Sequence, residues 1–226
     1  MIKNILFDLD DTIFDFKMAE RVALSKTLVS FGIEPTEYII KRYSEYNISQ
    51  WKLLELGKLT REQVKVNRYK LLFDELELDI SPKKATAIYE DYLCIGHYFI
   101  DGAEKIIKTL YDEGYNLYLV SNGAKRVQDG RLKSSGISKY FKGIFISEVI
   151  GYEKPSIKFF EYCFDRIDNF DIDETVIIGD SLSSDIKGGI NAGIKTVWFN
   201  PNNEVNTTQI VPTYEINKLS DIIKYI

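Results

Sequence analysis

The chain has 226 residues, 45% of them hydrophobic, and its 29 Lys and Arg against 34 Asp and Glu give a formal net charge of −5. This length is sufficient for one large hydrophobic core with a smaller appended unit. An acidic chain without a long basic run is a poor candidate for binding nucleic acid or an anionic membrane, so neither is expected as a partner. No apolar run approaches the roughly 20 residues of a membrane-spanning helix, and no signal-peptide pattern is visible.

The two cysteines, Cys94 and Cys163, are far apart in the sequence and lie among apolar residues. This pattern favours free thiols over a disulfide or a metal pair. A cytoplasmic location is therefore expected. The oligomeric state is left as a monomer or a small homo-oligomer.

Short apolar runs predict buried parallel strands, because strands covered on both faces are continuously hydrophobic. Five such runs occur, at residues 5–7, 117–120, 144–146, 176–178 and 196–199. Helical segments separate the last four, which is the βαβ pattern. The predicted fold is therefore α/β, with a Rossmann-like, doubly wound parallel sheet of five strands.

The βαβ alternation is interrupted between the first and second strands, where residues 16–97 indicate helices only. Thr60 with Gln63 fits a capping box, and Ser81-Pro82 fits a helix start. We expect an all-helical cap domain over 16–97, inserted into a core domain formed by 1–15 and 98–226. A lid of this kind can admit substrate and exclude water.

Polar side chains follow the predicted strands at the points where they end. Asp8-Leu9-Asp10-Asp11-Thr12 follows the first, Ser121-Asn122 the second and Gly179-Asp180 the fourth, while Lys154-Pro155 opens a helix after the third. Ligands of open α/β sheets bind at the carboxyl ends of the strands. Carboxylates gathered there without a nearby His or Cys call for a hard divalent cation, and we expect Mg²⁺ as the cofactor.

Each of these motifs by itself has an ordinary structural explanation. The aspartates after the first strand could form a turn, since Asp favours turns. Lys154 could be an exposed lysine, and Asp185 could cap the helix that follows it. Asp11 is interpreted as structural.

The four motifs together, in this order and at strand ends, resemble those of the haloacid-dehalogenase-like superfamily, and the inserted helices match its helical-cap class. The resemblance implies a phosphomonoesterase in which Asp8 is the nucleophile and forms an aspartyl-phosphate. Asp10 is then the acid and base for the leaving oxygen and for water. Lys154 offsets the repulsion between Asp8 and the phosphate.

The resemblance also implies the remaining roles. Asp8, the backbone carbonyl of Asp10, and Asp180 would be the metal ligands. Ser121 and the Asn122 amide, with Lys154, would bind the phosphate. Two further residues would support the site without being metal ligands. Asp185 would orient the metal's water shell or Lys154, and Thr12 would brace the turn that carries Asp8.

Longer segments, two of which (51–68 and 128–136) lie outside the four motifs, narrow the resemblance to the bacterial pyrimidine 5′-nucleotidases, including those acting on non-canonical nucleotides. They are 7–16 (FDLDDTIFDF), 51–68 (WKLLELGKLTREQVKVNR), 128–136 (QDGRLKSSG), 144–151 (IFISEVIG) and 179–193 (GDSLSSDIKGGINAG). The substrate implied is a pyrimidine nucleoside monophosphate.

Of four alternatives to this functional assignment, two remain open and two are disfavoured. A broad-specificity sugar-phosphate phosphatase and a phosphomutase would use the same residues. A dehalogenase is disfavoured because that chemistry needs no leaving-group acid such as Asp10. A non-catalytic phosphate-binding module is disfavoured because Asp8, Asp10, Lys154 and Asp180 are all retained.

Overall fold

A computed structural model describes all 226 residues. The chain divides into two compact units, one formed by residues 1–16 and 97–226 and the other by residues 17–96. The first unit contains every strand of the protein, and the second contains helices only.

The first unit is built on a parallel sheet with the strand order β3-β2-β1-β4-β5-β6. The strands are β1 (Asn4–Phe7), β2 (Asn116–Ser121), β3 (Gly143–Ile146), β4 (Thr175–Gly179), β5 (Lys195–Phe199) and β6 (Tyr214–Ile216). The α/β class and all five predicted strands are confirmed. The predicted number of strands is wrong by one, because β6 has only three residues and no apolar run to reveal it.

The chain has nine helices. They are α1 (Phe16–Ser30), α2 (Glu37–Glu55), α3 (Arg61–Glu75), α4 (Pro82–Leu93), α5 (Ala103–Asp112), α6 (Lys125–Ser135), α7 (Ser147–Ile150), α8 (Ile157–Phe164) and α9 (Lys187–Asn191). Of these, α1–α4 lie almost entirely in the helical unit and α5–α9 in the unit that contains the sheet. Short 3₁₀ turns cover Ile137–Tyr140, Ile172–Glu174 and Leu219–Lys224, and a π turn over Leu182–Ile186 leads into α9. None of these helices combines the length and the apolar character that crossing a membrane requires.

Alternation along the strands distributes the core over both faces of the sheet. On β1, Ile5 and Phe7 join one buried cluster with α5, whereas Leu6 joins a second cluster with α8. Both faces are therefore covered, which explains why the strands of the sequence are continuous hydrophobic runs. Cys163 lies buried in the second cluster, and neither it nor the half-buried Cys94 forms a disulfide.

Two helices of the helical unit, α3 and α4, begin where the sequence predicts. Thr60 and Gln63 form the reciprocal capping box of α3, and the Ser81 side chain caps α4. The interior of the unit is aromatic: the ring of Tyr43 lies 4.9 Å from that of Tyr69 and 5.6 Å from that of Tyr89.

Close packing of α9 on the sheet places the segment that follows β4. A Cβ atom at Gly189 would lie 2.6 Å from methyl carbons of both Ile177 on β4 and Thr196 on β5. Only glycine lets the helix approach the strands this closely, because that distance is well below van der Waals contact.

Replacing Gly189 with Ala should destabilise the protein by about 1–3 kcal/mol, since an overpacked core must shift its backbone or its rotamers. Urea unfolding of Gly189→Ala would measure this. Ile190→Ala on the same helix is the control, because Ile190 is exposed and should change the free energy of unfolding by no more than about 0.5 kcal/mol. Equal stabilities for the two variants would contradict the packing argument.

Candidate active site

The carboxyl end of β1 is the centre of the site, because β1 is hydrogen-bonded between β2 and β4. Asp8 directly follows β1, and its backbone N–H donates to the carbonyl of Ile178 on β4 at 2.9 Å. Asp180 follows β4 by one residue, and Ser121 ends β2. Parallel pairing thus brings Ser121 and Asp180 to the same edge as Asp8, although both are more than 100 positions from it in the sequence.

Lys154 is the cation of this edge. Its Nζ donates to Asp8 Oδ1 at 2.6 Å, to Asp185 Oδ1 at 2.6 Å and to the carbonyl of Val120 at 2.9 Å. An ammonium group has three protons, so these three acceptors fix its position. Lys154, Asp8 and Asp185 are all buried.

Asn122 holds the backbone of Lys154 in place. Its Oδ1 accepts from the Lys154 N–H at 2.8 Å, and its Nδ2 donates to the Lys154 carbonyl at 2.9 Å and to Ser184 Oγ at 3.3 Å. The side chain of Asn122 therefore positions Lys154. The predicted contact of Asn122 with phosphate would then be made by the backbone amide of Asn122.

Three carboxylates of this edge could share a divalent cation. One oxygen each of Asp8, Asp180 and Asp185 lies within 4.8 Å of the others. All donors are oxygens, which suits Mg²⁺ better than Zn²⁺. Asp180 is tied to the predicted supporting residue Thr12, whose Oγ1 donates to Asp180 Oδ1 at 3.4 Å and accepts from the Asp180 N–H at 3.1 Å.

The electrostatics of the cluster also favour a cation. Burial raises the pKa of Asp8 to about 8, although Lys154 opposes the shift. Burial, with the charges of Asp185 and Asp8, raises the pKa of Asp180 well above its ordinary value. The carboxylates of Asp185 and Asp8 outweigh burial and hold the pKa of Lys154 above its usual range. One ammonium is therefore insufficient for these three carboxylates, of which Asp8 and Asp185 are buried and Asp180 is half-buried, and the residues present fit a divalent metal ion.

The side chain of Asp10 lies in a neighbouring polar cluster, apart from the three carboxylates. Arg131 donates to Asp10 Oδ1, and Gln128 Nε2 donates to Asp10 Oδ2 at 2.6 Å. Arg131 is fully buried and packs over the rings of Phe14 and Phe16. The predicted metal contact of Asp10 is through its backbone carbonyl, so this side-chain arrangement leaves that prediction untested.

Sequence reasoning missed Gln128 and Arg131, which both belong to α6. Three residues apart, they lie on one face of the helix. That face also carries Val127 and Leu132, which are buried. The sequence signal that could have identified them is the position of two long polar residues on the apolar face of a helix. Such side chains are buried only when they have polar or charged partners.

The chain is similar to known proteins along most of its length. The family model for haloacid dehalogenase-like hydrolases matches residues 5–199. The HAD-hydrolase YfnB of Bacillus subtilis is 40% identical over 97% of this chain and 93% of its own length. The pyrimidine 5′-nucleotidases PynA of Streptococcus pneumoniae and YjjG of Escherichia coli are 37% and 27% identical, over 98% and 96% of this chain and 93% and 95% of theirs.

Solved structures agree with this relationship. A crystal structure of YfnB bound to magnesium matches with a TM-score of 0.94, covering 99% of this chain and 97% of that chain at 40% identity. A dehalogenase structure covers 100% of this chain and 97% of that chain with a TM-score of 0.78. At 15% identity, the dehalogenase likeness shows the shared fold alone.

Binding of Mg²⁺ to the metal-free protein should release protons. Asp8, with its pKa near 8, is mostly protonated at pH 7, and a divalent cation requires the ionised form. Titration calorimetry in two buffers with different ionisation enthalpies would measure the released protons. Release should decline as the pH rises above 8, and Asp8→Asn should release fewer protons than the wild type. An apparent enthalpy that is the same in both buffers at pH 7 would contradict this account.

Proposed function

Since the chain belongs to the haloacid dehalogenase-like hydrolase family, as its motifs predict, we propose that it is a Mg²⁺-dependent phosphomonoesterase acting through an aspartyl-phosphate on Asp8. The observation that carries this proposal is the bonding of one buried lysine, Lys154, to both Asp8 and Asp185 at a strand-end edge. If this end of the sheet had only a structural role, carboxylates would not be expected there, because burying a charged group is energetically unfavourable.

Charge explains the need for Lys154. A phosphate dianion approaching the Asp8 carboxylate is repelled by about 4 kcal/mol per unit charge at 4 Å and an effective dielectric constant of about 20. Lys154 donates to Oδ1 of Asp8, which leaves Oδ2 to attack phosphorus. The ammonium therefore offsets the repulsion while it fixes the orientation of the nucleophile.

Asp8 and Asp180 would hold the metal ion, together with the backbone carbonyl of Asp10. When bound, Mg²⁺ supplies positive charge that stabilises the oxygens of the transferring phosphoryl group. Asp185 lies close enough to contribute an oxygen. Its bond to Lys154 also fits the predicted supporting role.

The proton transfers of both reaction steps are assigned to Asp10. In the first step the ester P–O bond breaks as the Asp8–P bond forms, and Asp10 gives its proton to the leaving oxygen. In the second step Asp10 takes a proton from water, which attacks phosphorus and releases phosphate and free Asp8. Ser121 and the Asn122 amide would bind the phosphate oxygens throughout.

The predicted domains and substrate are also part of this proposal. We retain a core of residues 1–15 and 98–226 with a helical cap of residues 16–97. PynA and YjjG, both named pyrimidine 5′-nucleotidases, match nearly the whole chain, including the helical unit. This support from both units favours a pyrimidine nucleoside monophosphate as substrate.

Asp8→Asn should keep the fold and lower the turnover number by at least about 10³-fold, because an amide cannot act as the nucleophile. Phosphate release from p-nitrophenyl phosphate with Mg²⁺ would measure this. Asp11→Asn is the matched control. Asp11 has a φ of +56°, which Asn tolerates, and its Oδ1 accepts from the Phe16 N–H, which an amide oxygen can also do.

The control variant Asp11→Asn should retain most of the wild-type activity. Substantial turnover by purified Asp8→Asn would rule out the covalent mechanism. Loss of activity in both variants, with unchanged unfolding curves, would show instead that the whole turn is sensitive to charge and would leave Asp8 without a special role.

The substrate assignment predicts that kcat/KM is higher for pyrimidine than for purine nucleoside 5′-monophosphates, with sugar phosphates poorer still. A second ring enlarges the base, and overfilling a packed site is destabilising. The test compares deoxyuridine, thymidine, adenosine and guanosine 5′-monophosphates with glucose 6-phosphate. A purine nucleotide or the sugar phosphate as the best substrate would overturn the nucleotidase assignment while leaving the phosphatase proposal in place.

A further inference from the structure

One buried amide connects two groups that the proposed reaction needs. Nε2 of Gln128 donates to Asp10 Oδ2 at 2.6 Å and to Ser121 Oγ at 3.0 Å. These bonds use both protons of the amide. Gln128 is 1% exposed, so these two protein acceptors, rather than water, define its surroundings.

The bond to Ser121 fixes the direction of the serine hydroxyl. Ser121 Oγ accepts from Gln128 Nε2 and from the backbone N–H of Gly123, both at 3.0 Å. A hydroxyl oxygen has two lone pairs, and both are then occupied. The hydroxyl can act toward a further ligand only as a donor, which is what a phosphate oxygen requires.

Arg131 determines which way the amide faces. It donates to Gln128 Oε1 at 3.2 Å and also to Asp10 Oδ1. Because Oε1 accepts from the guanidinium, the amide cannot rotate by 180° without placing Nε2 against a cation. The donor face of Gln128 is therefore held toward Asp10 and Ser121.

Gly123 provides the space for this amide. A Cβ atom there would overlap Gln128 Nε2 and lie 2.7 Å from Cδ. The φ of Gly123 is not among the positive values in the chain, so glycine is needed at this position for space. An alanine would displace the end of a flexible side chain while leaving Gln128 chemically intact.

We propose that Gln128, oriented by Arg131 and accommodated by Gly123, is a positioning residue that holds the Asp10 carboxyl and sets the Ser121 hydroxyl as a phosphate donor. The proposal rests on the phosphomonoesterase function given above. In this role Gln128 acts through Asp10, to which the proton transfers are assigned, and through Ser121, which is assigned to the phosphate.

The test measures kcat/KM of Gln128→Met for phenyl phosphate and for p-nitrophenyl phosphate, with inorganic phosphate as the inhibitor. Nitrophenolate leaves without much protonation, whereas phenolate depends on a placed acid. The rate ratio of the nitrophenyl to the phenyl ester should therefore rise about tenfold. The inhibition constant for phosphate should rise roughly fivefold, since an oriented hydrogen bond to a charged group weakens.

Gly123→Ala should reproduce both changes, because its Cβ displaces the same amide. Lys133→Met, an exposed position on α6, should match the wild type. Thermal unfolding of each variant monitors the fold. A merely structural role for Gln128 would lower both ester rates by one factor and leave the phosphate constant unchanged, which would overturn the proposal.

The outcome for the wild type separates this inference from the proposed function. If the wild type hydrolyses both esters, Asp8→Asn hydrolyses neither and the ester ratio is unaffected in Gln128→Met and Gly123→Ala, the inference alone is wrong. If the wild type hydrolyses neither ester with Mg²⁺ present, the phosphomonoesterase function is wrong and the positioning role falls with it.

Discussion

The Lys154 ammonium, bonded to Asp8, Asp185 and the carbonyl of Val120, is the contact on which the site depends. It joins four segments of chain: Val120 lies in β2, whereas Asp8, Asp185 and Lys154 follow β1, β4 and β3. A buried charge is tolerated only when it is paired and hydrogen-bonded. The ends of the four strands must therefore keep their relative positions, and the parallel sheet with its close-packed α9 supplies that rigidity.

This arrangement is not the most stable one available to the fold. Three carboxylates lie close together with one ammonium, which bonds only Asp8 and Asp185, and the pKa values of Asp8 and Asp180 rise because burial disfavours their charged forms. An edge selected for stability alone would remove some of that charge. Concentrated negative charge at a strand-end edge is explained by the divalent cation it can bind, so the electrostatic strain is itself an argument for function.

A second network, on α6, complements the first. Gln128 and Arg131 hold the side chain of Asp10, while Lys154 holds Asp8. Two aspartates separated by one residue at the end of β1 thus enter different surroundings: Asp8 has a lysine and two carboxylates, and Asp10 has an amide and a guanidinium. Different partners for neighbouring carboxyls permit different chemical roles, nucleophile for one and proton carrier for the other.

The sequence by itself determined the α/β class, five of the six strands and the edge where the polar residues gather, because buried strands and strand-end motifs are local patterns. It could not reveal β6, which has only three residues. It also did not reveal Gln128 and Arg131 as partners of Asp10, since 118 and 121 positions separate them from it. Only the tertiary structure decided those contacts, because the pairing of β1 with β2 brings α6 beside the end of β1, and no local periodicity encodes which side chains then meet.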